Sequence, residues 1–290
     1  MTDSQPWPRI AVVGAGAVGG YFGGLLARAG APVTLIGRPL FVEAVKKNGL
    51  FLDTLQFQEE VRVEASTEVG AVRGAEIVLF CVKTTDNAAS ARAIAPLLSN
   101  GALVLSMQNG VDNVEQLRTA AAIDALPSVV YVAASMPEPG RVKHVGRGDL
   151  VVGPKNQKTE RIATLFMRAN VPCRISENIE GELWTKLVWN CALNAVSALG
   201  RAKYGQIAGS ADAWKVVETV VYEVLAVVRA ANIHPPGLED PKAALAGALK
   251  IATQMAEALS STAQDMNRGK LTEIDSLNGY VSRRGRELGV

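Results

Sequence analysis

Histidine, cysteine and aromatic residues are scarce in this chain, and their scarcity excludes several kinds of site. The 290 residues include two histidines, His144 and His234, which cannot supply an HExxH-type zinc site. The three cysteines stand far apart in apolar surroundings and form no CxxC pair, as is typical of a reduced cytoplasmic protein. An aromatic content of 5% is too low for an array of rings that stack on nucleic-acid bases. We therefore expect no metal site and a cytoplasmic location.

Long apolar runs and an excess of one charge are also lacking. No apolar stretch reaches the roughly 18 residues of a membrane-spanning helix, and the segment MTDSQPWPRI lacks the apolar core of a signal peptide. Lys and Arg number 30 against 28 Asp and Glu, which gives a net charge of +2 without a long basic run. We therefore expect neither membrane association nor nucleic-acid binding. A hydrophobic content of 48% instead predicts a folded protein with a sizeable core.

The first part of the chain alternates short apolar runs with helix-compatible stretches. The apolar runs are RIAVVGAG, APVTLIGR, AEIVLFCVK, ALVLSMQNG and SVVYVAASM. This alternation predicts a mainly parallel sheet that is covered by helices on both faces. FLDTLQFQEEVRVEA and RVKHVGRGDLVVG are interpreted as antiparallel additions, and the second is expected to turn through Gly-Arg-Gly.

From about residue 179 onward, apolar residues recur with a helical period instead. In DAWKVVETVVYEVLAVVRAA they occupy positions 214, 217, 220, 221, 224, 225 and 228, on one face of a helix. KAALAGALKIATQMAEALSSTAQDM is also helical, and Thr272 with Asp275 is interpreted as a capping box that opens a last helix. The predicted fold class is α/β. A Rossmann-type, doubly wound, mainly parallel sheet domain over residues 1–178 precedes an all-helical domain over residues 179–290.

The motif GAGAVG follows the first apolar strand and precedes a predicted helix. Its first glycine permits a tight turn, its second lets the backbone approach a pyrophosphate, and its third allows close packing of helix on strand. The helix N-terminus offers N–H groups to phosphates. Glycine-rich turns also occur for structural reasons alone, but the position directly after an N-terminal strand favours dinucleotide binding. The predicted cofactor residues are Gly14, Ala15, Gly16, Ala17, Val18 and Gly19.

The end of the second strand indicates which dinucleotide binds. Enzymes that use NAD place Asp or Glu there to bond the ribose 2′-OH, whereas VTLIGRP ends in Gly37 and Arg38. A guanidinium pairs with a 2′-phosphate, which a carboxylate would repel. The alternative is a solvated arginine with no ligand. We favour phosphate binding and expect NADP (NADPH) as the cofactor.

Polar residues also follow the later strands. Lys83 stands in CVKTTD and Asn109 in MQNGVDN. Ligands of open α/β sheets bind outside the carboxyl ends of the strands, so we expect both side chains to flank one cleft with the glycine loop. Ser135 follows another strand but is expected to be an ordinary loop residue.

A polar stripe runs along the helix predicted for ELWTKLVWNCALN. Lys186, Asn190 and Asn194 recur at i, i+4 and i+8 and therefore share one helix face. Most polar stripes are solvated, but asparagine is a poor helix former, and large apolar residues cover the remaining faces. We therefore predict that the stripe faces an internal cleft. A lysine ammonium there can stabilise and protonate the alkoxide that forms when a ketone accepts a hydride.

In five motifs the chain resembles the ketopantoate reductase (2-dehydropantoate 2-reductase) family. These motifs follow in the family's order and span most of the chain: GAGAVGGYFGGLLARAG, CVKTTD, MQNG, LWTKLVWNCALN and SSTAQDMNRGKLTEIDSLNGY. The resemblance implies an oxidoreductase that uses NADPH to reduce 2-dehydropantoate to (R)-pantoate, the precursor of pantothenate and coenzyme A. It implies a small 2-oxo acid as the binding partner and, since members are often dimeric, a homodimer.

The resemblance also implies roles for individual residues. Lys186 falls on the family's general acid, and Asn190 and Asn194 fall on its substrate ligands. Ser261 is implied to bind the substrate carboxylate. Glu273 is implied to act beside the cofactor, where it positions the substrate hydroxyl and the lysine.

Other residues of the family pattern are matched or replaced. Lys83 and Asn109 match residues near cofactor and substrate, and Arg38 matches the contact to the 2′-phosphate. Ala258 stands where well-studied members carry an asparagine, and Tyr204 stands where some members carry another. Both asparagines help to define the substrate pocket. Two alternatives therefore stay open: a reductase of another branched 2-oxo acid, or a non-catalytic NADP-binding sensor. A sensor, however, has no need of a proton donor.

Overall fold

The computed structural model describes residues 6–290. Residues 1–5 lie outside the described residues. They are the first half of the segment in which we expected no signal peptide. The chain forms two compact units. The first comprises the described residues up to Gln108 together with Asn113–Ile179, and the second comprises Asn109–Asp112 and Glu180–Val290. Within the described part, every helix is too short or too polar to cross a membrane.

A ten-stranded sheet runs through the described part of the first unit. Its strands are β1 (Ile10–Val13), β2 (Val33–Ile36), β3 (Leu50–Asp53), β4 (Gln58–Val61), β5 (Glu64–Ser66), β6 (Ile77–Phe80), β7 (Leu103–Ser106), β8 (Leu126–Glu138), β9 (Arg141–Val152) and β10 (Cys173–Ile175). Their order is β4-β3-β9-β8-β7-β6-β1-β2-β5, with β10 beside β9. The neighbours from β5 to the start of β8 pair in parallel, whereas β3 with β4 and β8 with β9 pair antiparallel. The predicted doubly wound, mainly parallel sheet is confirmed.

Helices cover both faces of this sheet, which is why its strands are apolar without alternation. Along β1, Ile10 and Val12 lie in one core cluster with Phe22, while Ala11 lies in a second cluster with Leu117. The helices of the first unit are α1 (Ala17–Arg28), α2 (Pro39–Asn48), α3 (Asn87–Ile94), α4 (Asn113–Ala121) and α5 (Gln157–Arg168), with 3-10 turns at Val69–Val72, Thr84–Asp86 and Ala95–Leu97.

The turn predicted at residues 146–148 is wrong. β9 continues through these residues, and the chain reverses instead at Gly140, before β9 begins. Arg147 has a φ of 55°, and the pairing of β8 with β9 shifts register beside it. Its guanidinium lies 3.8 Å from the centroid of the Tyr131 ring and 2.6 Å from a carboxylate oxygen of Asp149. The extra residue is therefore accommodated as a β-bulge within one long strand.

The second unit is all-helical, as predicted. Its elements are α6 (Ile179–Gly200), α7 (Tyr204–Ala208), α8 (Ala211–Ala230), α9 (Pro241–Gln254), α10 (Ser261–Asn267), a 3-10 turn at Ile274–Ser276 and α11 (Asn278–Leu288). The apolar face of α8 shares one core with α6, and this core includes Val221 and Leu225 of α8 with Leu187 and Cys191 of α6.

The capping box predicted at Thr272 and Asp275 is wrong. Glu273 is the N-cap of the 3-10 turn and makes no side-chain capping bond. α11 begins only at Asn278, after Leu277 has left helical geometry with φ −108° and ψ −97°. Leu277 is 2% exposed within the helical core. Burial of this leucine, and not a cap, therefore fixes the start of the last helix.

Close packing of α1 on the sheet makes Gly23 intolerant of a side chain. A Cβ at this position would lie 2.8 Å from Leu35 Cδ2 and 2.8 Å from Val12 Cγ2. We expect Gly23→Val to destabilise the protein by roughly 1–3 kcal/mol, because overpacking displaces neighbouring side chains. Differential scanning calorimetry should show a lower melting temperature. Gly70→Val is the matched control, since a Cβ at Gly70 meets no atom within 4 Å. Equal melting temperatures for the two variants would contradict this account.

Candidate active site

The glycine loop lies where β1 passes into α1, and its geometry fits a pyrophosphate. Gly14 has a φ of 91°, and a Cβ there would lie 2.7 Å from the backbone nitrogen of Val82, so a side chain is excluded. A Cβ on Gly19 would lie 2.7 Å from the carbonyl oxygen of Gly14. Gly16 is different, because it is exposed and a Cβ there would meet no atom within 4 Å. Its side of the loop is open to a ligand.

The backbone N–H groups of this loop divide into two sets. Those of Gly14 and Ala15 donate to the carbonyl oxygen of Ile36, at 3.1 and 3.0 Å, and that of Gly16 donates to Gly14 at 2.7 Å. Helix geometry leaves the N–H groups of the first turn, those of Ala17, Val18 and Gly19, without intrahelical acceptors. The N-cap residue, Gly16, has no side chain that could cap these groups, and the first turn carries no acid. A phosphate therefore fits at this helix N-terminus.

Arg38 is exposed, follows the end of β2 by two residues and is the N-cap of α2. The preceding residue, Gly37, packs closely on the loop, since a Cβ at Gly37 would lie 3.3 Å from the Cβ of Ala15. Arg38 is therefore next in the chain to a residue, Gly37, that lies against the glycine loop. This position suits a contact to the adenosine end of a dinucleotide.

Lys83 also lies close to the glycine loop. It is half-buried at the N-cap of the 3-10 turn after β6, and the residue before it, Val82, is the one that crowds Gly14. Gln108 supports this segment, because its amide nitrogen donates to the carbonyl oxygen of Val82 at 2.9 Å and to Oδ1 of Asn87.

Sequence reasoning missed the amide network that holds the Lys83 loop. Asn87 is 1% exposed and donates to Oδ1 of Asn113 at 2.9 Å and to Oε1 of Gln116 at 2.8 Å. Gln108, which donates to Oδ1 of Asn87, is also buried. The only sequence signal was the clustering of amides in MQNGVDNVEQ, from which Asn109 alone was selected.

In the second unit, Lys186 and Asn109 are brought together although 77 positions separate them. The Lys186 ammonium donates to Oδ1 of Asn109 at 2.8 Å, and both residues are half-buried. Asn109 belongs to this unit because Val111, two residues on, packs against the helical core. The bond holds the ammonium in one place on the polar face of α6.

Further along the same face, polar groups hold α6 to its neighbours. Asn194 accepts a bond from the Tyr204 hydroxyl at 3.0 Å, and its carbonyl oxygen accepts one from the Ser260 hydroxyl at 3.1 Å. Ser197 is fully buried, donates to the carbonyl oxygen of Ala202 at 2.8 Å and accepts from the Ser260 N–H at 3.1 Å. Asn190, one turn before Asn194, is half-buried.

The two tail residues lie in separate elements of the same unit. Ser261 is exposed in the first turn of α10, directly after Ser260, which is the buried N-cap of that helix. Glu273 is half-buried and precedes the 3-10 turn, where its carbonyl oxygen accepts from the Ser276 N–H at 3.0 Å. Ser261 is thus one residue from the serine that bonds Asn194.

Two titratable groups of the helical core, Tyr204 and Cys191, are held in their neutral forms. Burial raises the pKa of Tyr204 and that of Cys191 to about 12. The phenol is therefore protonated and the thiol uncharged at neutral pH, so Cys191 is not a thiolate nucleophile. Within residues 6–290, no three His, Cys, Asp or Glu side chains are arranged to hold a metal ion.

Comparisons with known proteins agree with this architecture. The family model described as Ketopantoate reductase PanE/ApbA matches residues 10–157, and its C-terminal counterpart matches residues 178–290. The 2-dehydropantoate 2-reductase of Pyrococcus abyssi is 32% identical over 279 residues, which are 94% of this chain and 89% of that protein.

Two crystal structures superpose closely on the chain. The PanE/ApbA family ketopantoate reductase from Ralstonia eutropha JMP134 is 46% identical with a TM-score of 0.90, covering 97% of this chain and 93% of that one. The 2-dehydropantoate 2-reductase from Geobacter metallireducens GS-15 is 29% identical with a TM-score of 0.90, covering 97% and 94%. Since the two family models match both units in order, the chain belongs to the PanE/ApbA ketopantoate reductase family.

Proposed function

We propose that this protein reduces the ketone of 2-dehydropantoate to (R)-pantoate, with NADPH as the reductant. The observation that carries the proposal is the ammonium of Lys186, which Asn109 holds at 2.8 Å on the polar face of α6. The Pyrococcus abyssi and Archaeoglobus fulgidus relatives are named for this activity, and each matches this chain over almost its whole length.

Lys186 is the proposed general acid. Reduction of a ketone places negative charge on its oxygen, which a nearby ammonium stabilises and then protonates. Asn109 accepts one N–H of the ammonium, so Lys186 is oriented before the substrate arrives. When bound, the nicotinamide cofactor supplies the hydride.

The remaining polar residues of the second unit are the proposed substrate ligands. Asn190 and Asn194 offer amide groups that bind substrate oxygens without adding a competing charge. Ser261, with its exposed hydroxyl, is assigned to the substrate carboxylate. Glu273 is assigned to the substrate hydroxyl and to Lys186, as in the resemblance that first indicated it.

The first unit supplies the proposed cofactor site. The first turn of α1 binds the pyrophosphate through the N–H groups of residues 17–19, because Gly16 leaves that side open. Arg38 pairs with the 2′-phosphate, which makes NADPH the preferred nicotinamide cofactor. Lys83 is assigned as a further cofactor contact of this unit, and Asn109 and Glu273 are assigned as cofactor contacts of the second unit. A cytoplasmic location and assembly into a homodimer stay predictions.

Another branched 2-oxo acid is the second candidate substrate. Its support is the contact between the two positions that depart from the family pattern: the Tyr204 N–H donates to the Ala258 carbonyl oxygen at 3.0 Å. One part of the second unit therefore carries both replacements, while Lys186 and Asn109 keep their arrangement. Such a substrate would leave the chemistry unchanged.

The direct test is oxidation of NADPH in the presence of 2-dehydropantoate and of a panel of branched and unbranched 2-oxo acids. We expect the highest kcat/KM with 2-dehydropantoate. A higher value with another 2-oxo acid would change the substrate and keep the mechanism. Absence of turnover with every acid, while NADPH still binds in fluorescence titration, would leave only a non-catalytic NADP-binding sensor.

Replacement of Lys186 separates catalysis from binding. We expect Lys186→Ala to lower kcat by a factor on the order of 100 or more, because the proton donor is lost. The Kd for NADPH should stay within about twofold, since Arg38 and the glycine loop are untouched. Lys215→Ala, at an exposed lysine of α8, is the control and should retain full activity. A Lys186→Ala enzyme with normal kcat would refute the general-acid assignment.

Replacement of Arg38 tests the choice of cofactor. We expect Arg38→Ala to raise KM for NADPH about tenfold or more, because a charge-assisted bond to phosphate is lost. KM for NADH should hardly change, since NADH has no 2′-phosphate. The comparison is made with Arg92→Ala, an exposed arginine on α3. If KM rose equally for both cofactors, Arg38 would not be the 2′-phosphate contact.

A further inference from the structure

The hydroxyl of Tyr204 makes a hydrogen bond to one residue, Asn194. The phenol is 8% exposed and donates to Oδ1 of Asn194 at 3.0 Å, and Asn194 is itself 4% exposed. The amide oxygen has no proton to give, so in this bond the tyrosine must be the donor. Because burial raises the pKa of Tyr204 to about 12, the phenol keeps that proton throughout the neutral range.

Both members of this pair are fixed by other bonds. The Tyr204 N–H donates to the Ala258 carbonyl oxygen at 3.0 Å, and the next N–H, that of Gly205, donates to Ala256 at 2.9 Å. A Cβ on Gly205 would lie 2.8 Å from the Cβ of Ala256, so the two segments are in close contact. The Asn194 carbonyl oxygen accepts from the Ser260 hydroxyl at 3.1 Å. Neither residue can therefore shift without breaking bonds to α10 or to the segment before it.

The bond from Tyr204 decides which end of the Asn194 amide is available. A carboxamide has one acceptor end and one donor end. The acceptor end faces the phenol, and within residues 6–290 no residue accepts a bond from Nδ2 of Asn194. Nδ2 also does not belong to the fully buried polar atoms that lack a partner, so part of its surface is accessible. Its two N–H groups are thus the part of Asn194 that can meet a ligand.

We propose that Tyr204 is a positioning residue that holds the Asn194 amide with its NH₂ group toward the substrate. This end of the site then binds a hydrogen-bond acceptor oxygen of the 2-oxo acid and rejects a hydroxyl that needs to donate. The inference rests on the proposed function. It adds a residue to that function and assigns the chemistry of one substrate contact.

The test is a double-mutant cycle in kcat/KM with Tyr204→Phe, Asn194→Ala and the double variant, measured with the best 2-oxo acid. Tyr204→Phe keeps the ring and removes the hydroxyl alone. We expect it to raise KM for the 2-oxo acid about tenfold, because the amide loses its fixed orientation. KM for NADPH should stay the same. If Tyr204 acts through Asn194, the double variant should be no worse than Asn194→Ala.

Controls separate this role from a general effect on folding. Tyr222→Phe changes a tyrosine on α8 that is 49% exposed and should leave both KM values unchanged. Should Tyr204→Phe fail to fold, Asn194→Asp serves instead, since it keeps the acceptor for Tyr204 and replaces the donor end by an oxygen. We expect Asn194→Asp to lose at least as much kcat/KM as Asn194→Ala, with a lower melting temperature because a carboxylate is buried at this position.

Several results would overturn the inference. Additive losses in the cycle, an unchanged KM in Tyr204→Phe, or full activity of Asn194→Asp would each show that Tyr204 does not orient the amide. In those cases the wild-type protein would still reduce a 2-oxo acid, so the proposed function would stand. A wild-type protein without turnover on any 2-oxo acid would instead remove both proposals.

Discussion

Polar side chains on a largely buried helix need hydrogen-bond partners, and this requirement shapes the second unit. An unpaired buried polar group costs roughly 1–3 kcal/mol. On α6, Lys186 takes its partner from the segment after β7, while Asn194 and Ser197 take theirs from Tyr204 and Ser260. Each of these bonds draws a loop or a helix end toward the same face of α6. The bonds that satisfy the helix therefore also fix the polar face that carries the proposed substrate ligands.

In the first unit the corresponding constraint is steric. α1 approaches β1 and β2 so closely that Gly19 and Gly23 have no room for a Cβ, and Gly14 has none beside Val82. This contact brings the helix N-terminus, with the N–H groups of its first turn, to the carboxyl end of β1. Gly16 alone among these glycines has open space beside it. Within one motif, packing therefore requires glycine at positions 14 and 19, while Gly16 leaves open the side of the loop proposed to bind phosphate.

The sequence was sufficient for features that depend on local pattern, and insufficient where a distant partner decides. Strands covered on both faces are uniformly apolar, so the sheet could be predicted. The path of the chain at Arg147 depends on the ring of Tyr131 across the hairpin, and the start of α11 depends on the burial of Leu277. Lys186 and Asn109 could each be selected from their motifs. Their bond could not, because no spacing relates residues 77 positions apart.

The adjacent serines of α10 show how structure assigns roles that residue type cannot. Ser260 uses its hydroxyl twice, since it accepts from the Ala263 N–H at 3.0 Å and donates to the Asn194 carbonyl oxygen at 3.1 Å. It is 1% exposed, so no ligand can reach it. Ser261 is exposed, and its position is fixed by the cap that Ser260 forms. Ser260 therefore ties α10 to α6, and of the two adjacent hydroxyls the exposed one belongs to Ser261, the residue proposed to bind the substrate carboxylate.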